Sequence, residues 1–293
     1  MKRWTAISLA LFVTFLWSTS YILNKWAFAE GVGPLTLAGL RYSLAAITLA
    51  LARLLQRRPA AGSTPRLSLW HYAGLGLAGY LVAQGMQYVG QYYVTPTQSG
   101  MMLSVGNTSL VLLISILWLR EMPTGRQWLG IGTALAGVSA YYWPFTFTGE
   151  NLIGIGFLLI SGLGYAVQLT ANRRLLAREA ASPLDLVLYP MIVGAVAMLA
   201  LGLGLEGLPP FTWRLAGLLL WLGPVNGALA FFLWTYSQRE LRAFESSTLN
   251  NTMLLQIAAL DLLLLGRSLE LRQLAALVLV GVGILSVQTA RRQ

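Results

Sequence analysis

Residues 4–28, WTAISLALFVTFLWSTSYILNKWAF, form an apolar run whose only formal charge is Lys25. Crossing about 30 Å of hydrocarbon as a helix takes about 20 apolar residues, so this run is long enough to span a bilayer. Lys2 and Arg3 precede it, as basic residues precede the core of a secretory signal peptide. The run exceeds the ~7–15 residues of such a core and is followed by more of its kind, so it reads as a first membrane span. Nine further stretches follow, at 34–55, 69–94, 96–119, 127–143, 152–176, 183–205, 215–236, 244–265 and 274–288. The linkers between them are too short for a separate catalytic or nucleotide-binding domain. Ten spans divide near residue 147 into two sets of five, and because five is odd the second set must cross upside down. The expected fold is therefore an all-α polytopic membrane protein, with ten transmembrane helices as two inverted five-helix repeats around a central cavity. The repeats cover 1–146 and 147–293, a layout that points to an alternating-access carrier.

The bulk composition agrees. Hydrophobic residues make up 56% of the chain and charged residues 10%, where soluble domains carry about 25% charged residues. The net charge of +10 could suggest nucleic acid, but its placement argues for topology. With the N-terminus inside, 15 Lys and Arg residues, from Lys2 and Arg3 to Arg291 and Arg292, fall on the cytoplasmic side. Only Arg214, Arg267 and Arg272 fall opposite. This bias directs both termini to the cytoplasm of a plasma (bacterial inner) membrane and makes anionic lipid the expected partner, not nucleic acid.

The second half registers on the first at an offset near 147. Asn24-Lys25 falls on Asn172-Arg173, Pro34-Leu35 on Pro183-Leu184, Arg126-Gln127 on Arg272-Gln273, and Gly137 on Gly283. Thr95-Pro96-Thr97-Gln98 and Ser182-Pro183-Leu184-Asp185 carry helix-start chemistry, which assigns Asp185 a capping role. Gly130, Gly132 and Gly137, like Gly281 and Gly283, offer small faces for close helix packing. That packing is expected within a monomer or across a weak homodimer.

Trp17-Ser18-Thr19-Ser20-Tyr21, then Lys25, Pro34 and Arg41-Tyr42, resemble the first two helices of the EamA-type drug/metabolite transporters. Leu119-Arg120-Glu121 is similar to the Glu-containing end of that family's fourth helix. The resemblance spans essentially the whole chain. It implies a five-plus-five inverted repeat, a shared central cavity and movement of small metabolites, often export of amino acids. Within that superfamily the density of aromatic and amide residues is similar to the aromatic amino-acid exporters of the YddG type. The chain departs from the pattern at Arg267, where the repeat calls for a second Glu, at Pro190 opposite Arg41, and at Thr108.

Polar side chains inside a membrane usually face the bundle interior or a watery path. Their helical spacing marks candidate faces: Trp17, Tyr21 and Asn24 in span 1; Tyr80, Gln84, Gln87 and Gln91 in span 3, with Tyr88 beside them. Span 4 adds Thr97, Met101, Ser104 and Thr108; span 6 adds Ser161, Tyr165, Gln168 and Asn172. Asn226, Trp234 and Gln238 extend the set in span 8, and Thr248, Asn250, Asn251, Thr252 and Gln256 in span 9. The plainer alternative is hydrogen bonding between helices. As a cavity, amides can pair an ammonium and a carboxylate, while aromatic faces hold an apolar body or a cation. A zwitterionic amino acid suits such a lining best, with a nucleobase or drug-type metabolite as the alternative solute.

Lys25, Arg41 and Asp261 are candidate coupling or gating charges. For the two cations, snorkelling to the interface competes with a solute-carboxylate site; for Asp261, a salt bridge competes with coupling. Glu121 is expected to anchor a cytoplasmic helix end, and the single histidine, His71, to sit at the interface. Span 1 has no acid, which argues against drug–proton exchange through a carboxylate there. With no cysteine, one histidine and no lysine beyond Lys2 and Lys25, zinc and P-loop motifs are absent, so neither a membrane enzyme nor any cofactor or metal is expected. A channel is the remaining alternative.

Overall fold

The computed structural model describes residues 2–55, 67–94, 96–144, 149–265 and 269–290. Among them there is no strand. The helical stretches are α1 (Arg3–Ala29), α2 (Pro34–Leu55), α3 (69–93), α4 (96–119), α5 (Gly125–Tyr142), α6 (Gly149–Ala177), α7 (Pro183–Leu205), α8 (Trp213–Ser237), α9 (243–265) and α10 (Leu271–Thr289). Among the described residues seven helices are long and apolar enough to cross a membrane, in α1, α2, α4, α6, α7, α8 and α10. The protein is thus polytopic. α3 is diluted by Gln84, Gln87 and Gln91, α5 is short, and α9 opens on AFESSTLN. Arg57, Arg58, Arg66, Thr95, Arg267, Arg291 and Arg292 lie outside the described residues, as do the side chains of Tyr21, Thr97 and Asp261.

The sequence pattern predicts plain helices, but several are deformed midway. π-helical turns occupy Leu77–Gly85 in α3, Met102–Gly106 and Ser115–Leu119 in α4, and Pro224–Leu229 in α8. α9 breaks at Asn251, between Ala243–Asn250 and Thr252–Leu265. In α8 the cause is visible. Pro224 has no N–H to give, and the Ala228 N–H reaches back five residues to the Gly223 carbonyl at 2.8 Å, widening the turn.

Consecutive helices run in alternate directions. At the end that holds both termini, Arg3 of α1 meets Glu245 at the start of α9 and Gln288 at the end of α10. Arg53 closing α2 pairs there with Asp185 opening α7, whose backbone N–H donates to Ser182. Ser182 therefore supplies the cap, and the Asp185 carboxylate in the first turn serves the ion pair. At the opposite end Arg214, just inside α8, pairs with Glu30 after α1 at 3.3 Å. Glu206, after α7, accepts from the Leu35 and Thr36 backbone N–H groups of α2 at 2.9 and 2.8 Å.

Those two amides are among the donors a helix start leaves without partners, and a carboxylate there also meets the positive end of the helix dipole. Glu206→Ala should lower stability by about 1 kcal/mol. A thermal midpoint in detergent that does not move would remove this cap from the account.

α5 lies along α10 and α2 along α7; α3 packs on α6 and α7, and α1 on α8 and α9. Glycines make the closest approaches. A Cβ on Gly137 would sit 2.8 Å from the Ala276 carbonyl, and one on Gly39 would sit 2.7 Å from the Leu199 backbone. The small faces of Gly130, Gly137 and Gly283 are used within the chain, whereas Gly132 and Gly281 meet nothing within 4 Å. The two largest apolar cores divide the helices between them. One joins α2, α3, α7 and α8 around Tyr42, Tyr80 and Met191; the other joins α1, α6, α8, α9 and α10 around Val13, Ala166 and Trp234. Trp17 packs against both.

Candidate functional site

A cavity with about 840 Å³ of empty space, open solvent at its mouth included, lies at the seam between the two cores. Three helices present it with the same rhythm of i, i+3, i+4 and i+7, which is one face of a helix. α3 presents Gln84, Gln87, Tyr88 and Gln91; α6 presents Tyr165, Gln168, Leu169 and Asn172; α8 presents Phe231, Trp234, Thr235 and Gln238. α1 adds Trp17, Ser20 and Asn24, α2 adds Arg41 and Tyr42, α4 adds Leu103 and Asn107, and α9 adds Asn250 and Met253.

Among the described lining residues Arg41 alone carries a formal charge. It is 3% exposed, so it does not reach out to the interface as a snorkelling side chain would. One guanidinium nitrogen donates to the Tyr88 hydroxyl at 2.5 Å, another to the Asn226 carbonyl at 3.2 Å, and Nε has no partner. The Tyr88 hydroxyl donates in turn to Asn24 Oδ1 at 3.2 Å. Asn226 sits in the π-helical turn of α8, and its carbonyl also accepts from Trp17 Nε1 at 3.1 Å. Tyr42 donates to Gln84 Oε1 at 2.8 Å, and its ring lies 5.4 Å from the Arg41 guanidinium carbon.

Aromatic rings build one wall. Trp17 stands 5.1 Å from both Phe231 and Trp234, and Phe231 stands 5.6 Å from Tyr42, centroid to centroid. Among the lining residues several buried polar atoms have no protein partner: Tyr165 OH, Trp234 Nε1, and the side-chain oxygens of Asn107, Asn172, Gln238 and Asn250. Each of these atoms is open to a polar group of a solute or to water, because leaving a buried hydrogen bond unmade costs about 1–3 kcal/mol. Next to Asn172, Arg173 pairs with Glu121 at 3.1 Å and donates to the carbonyls of Gln238 and Arg239 at 3.0 Å each. This ties α4, α6 and α8 together at the terminus end of the cavity. Glu121 thus joins helices and does more than anchor its own.

Trp17, Asn24, Arg41, Gln84, Gln87, Tyr88, Tyr165, Gln168, Trp234 and Asn250 of the sequence candidates meet in this cavity. Other candidates stand elsewhere. Tyr80 is buried beneath the lining, its ring 5.4 Å from Tyr42 and 5.7 Å from Phe231. Asn226 is also fully buried, its amide nitrogen donating to Ser20 at 2.7 Å, so it braces the wall from behind. Ser104 is half-buried and off the cavity, on the turn of α4 that the π-helical segment rotates. Lys25 is exposed and does not contribute to the lining. Sequence reasoning missed Ser20, Tyr42, Leu103, Asn107, Leu169, Phe231, Thr235 and Met253. Phe231 and Thr235 could have been found as the i−3 and i+1 companions of Trp234 on the face that Gln238 shares.

The model of the EamA-like transporter family matches this chain twice, over residues 4–143 and 152–289. A Bacillus subtilis (strain 168) protein described as the uncharacterized transporter YyaM is 25% identical over 274 residues, covering 86% of this chain and 84% of its own. A protein crystal structure superposes with a TM-score of 0.78 at 18% identity, over 97% of this chain and 96% of that one, and so shares its fold.

Proposed function

The chain belongs to the EamA-like transporter family and is a multi-pass membrane transporter of small molecules, and from that premise we propose that it exports neutral amphipathic amino acids, aromatic ones foremost. The cavity carries this reading: an aromatic wall for an apolar side chain shares the lining with polar groups that no protein partner satisfies. Ligand pockets combine apolar and aromatic walls with a few placed polar groups in this way.

Transport would proceed by alternating access between halves 1–146 and 147–293, each of five crossings and inverted relative to the other. The lining supports this. A shift of 148 takes Trp17, Ser20 and Asn24 onto Tyr165, Gln168 and Asn172; a shift of 147 takes Gln84, Gln87, Tyr88 and Gln91 onto Phe231, Trp234, Thr235 and Gln238. The deformations keep the same register, with the π-helical turns of α3 and α8 and the α4 turn and α9 break as pairs. Pairs of deformed helices at corresponding positions are where such carriers hold solute. The excess of Arg at the terminus end supports a cytoplasmic location for both termini in a plasma (bacterial inner) membrane.

Radiolabelled counterflow in proteoliposomes tests the proposal across amino acids, nucleobases and organic cations. Saturable exchange of L-phenylalanine, L-tryptophan or another neutral amino acid is expected. Exchange confined to nucleobases or cations would overturn the solute class. Conductance without saturation would replace the carrier by a channel.

A further inference from the structure

The cavity lining repeats between the halves except at its charge. The partners of Arg41 and Tyr42, at a shift of 149, are Pro190 and Met191, and Pro190 is buried inside α7. One half of the cavity therefore holds a buried guanidinium and the other holds none. Arg41 lies two turns inside α2 from Pro34, toward the end opposite the termini.

A buried charge normally requires a partner, since taking an ion out of water costs several kcal/mol. No described carboxylate pairs with Arg41. Its partners are a hydroxyl, a backbone carbonyl and the flank of a ring, all uncharged, and its Nε lacks any. Tyr88 and Asn226 hold the fork in place instead of neutralising it. The aromatic wall starts beside it: Tyr42 leads to Phe231, Phe231 to Trp17, and Trp17 to Trp234.

We propose that Arg41 is the residue that selects for a carboxylate on the transported solute, with the solute's apolar body lying along Trp17, Phe231 and Trp234. A planar guanidinium matches a carboxylate and is far stronger toward it than any amide in the lining. The inference sharpens the amino-acid reading and rests on it for the solute's scaffold. It makes the carboxylate, not the ammonium, the indispensable group.

The test uses L-phenylalanine counterflow with two competitors, 3-phenylpropionate, which lacks the ammonium, and 2-phenylethylamine, which lacks the carboxylate. In the wild type the acid should inhibit at least about tenfold better than the amine. Arg41→Gln should raise the half-saturation concentration for L-phenylalanine by about 10- to 100-fold, the span of one charge-assisted bond. It should also abolish inhibition by the acid and leave inhibition by the amine within about twofold, and Arg41→Lys should fall between. Retained inhibition by the amine shows that the variant is folded; if Arg41→Gln does not fold, the wild-type competition and Arg41→Lys decide. An amine that competes better than the acid in the wild type, or an unchanged half-saturation in a folded Arg41→Gln, overturns the proposal. Saturable exchange of 3-phenylpropionate without any amino acid would remove the amino-acid reading and keep the role of Arg41. Exchange of neither compound would remove both.

Discussion

Gly283→Leu is expected to lower the thermal midpoint by about 2–12 °C and to abolish transport, while Gly281→Leu leaves both nearly unchanged. The two glycines lie two residues apart on α10 and differ in what they face. A Cβ on Gly283 would fall 2.5 Å from the Ala134 backbone nitrogen and 2.6 Å from the Gly130 carbonyl, and the same atom on Gly281 would meet nothing within 4 Å. Side chains can turn away from an intruding group, but backbone held in a helix cannot, so α10 would have to leave α5. Overpacking costs about 1–3 kcal/mol, and each kcal/mol moves a midpoint by roughly 2–4 °C at this size. Lipid adds no hydrophobic drive to restore the contact, because packing between helices is what holds them together. Midpoints in detergent for the two variants side by side decide the matter. Equal effects would mean that α5 and α10 do not meet through this face.

The same pair of glycines illustrates what the sequence could and could not convey. Small residues at membrane-helix spacing announce a close contact, but Gly281 and Gly283 look alike in a string of letters. Only the neighbouring helix distinguishes the packed face from the lipid face. Helix positions were readable because each polytopic span must supply about 20 apolar residues and turns back within a short polar linker. The cavity face was readable for a related reason: amides and tyrosines at i, i+3, i+4 and i+7 are costly in lipid, which identified Gln84, Gln87, Tyr165 and Gln168. Tyr80 and Asn226 carry the same residue types at compatible spacings, and the structure buries them behind the lining. Polarity alone does not separate a residue that faces solute from one that braces it. The π-helical turns were not legible, apart from Pro224, because they change the number of residues per turn without changing composition. Arg41 misled for a physical reason. A cation near a helix end in lipid usually reaches water along its own stem, and what prevents that here is Tyr88 of α3 and Asn226 of α8, distant in sequence and close in space.

Arg3→Ala is expected to cost about 2–4 kcal/mol, and Glu245→Gln in the same chain to restore more than half of it. Glu245 is fully buried at the start of α9, where Arg3 donates to both carboxylate oxygens at 3.1 Å. Gln127 of α5 donates to one oxygen at 3.3 Å, and the Arg242 backbone N–H to the other at 2.8 Å. Arg3 also donates to the Gln288 carbonyl at 2.9 Å, so α1, α5 and α9 meet on one carboxylate and α10 joins them through Arg3. Deleting the cation removes the bidentate partner of a buried anion, and breaking a buried pair costs about 3–5 kcal/mol. The lower figure applies because the Arg3 side chain is 25% exposed, which lets water reach part of the site. A neutral glutamine keeps the shape, can still accept from Gln127, and removes the uncompensated charge, so the second substitution relieves the first. A double-mutant cycle on thermal or denaturant unfolding reads the coupling directly. Additive effects would make the pair incidental and shift the closure of this end of the bundle onto Arg173–Glu121 and Arg53–Asp185.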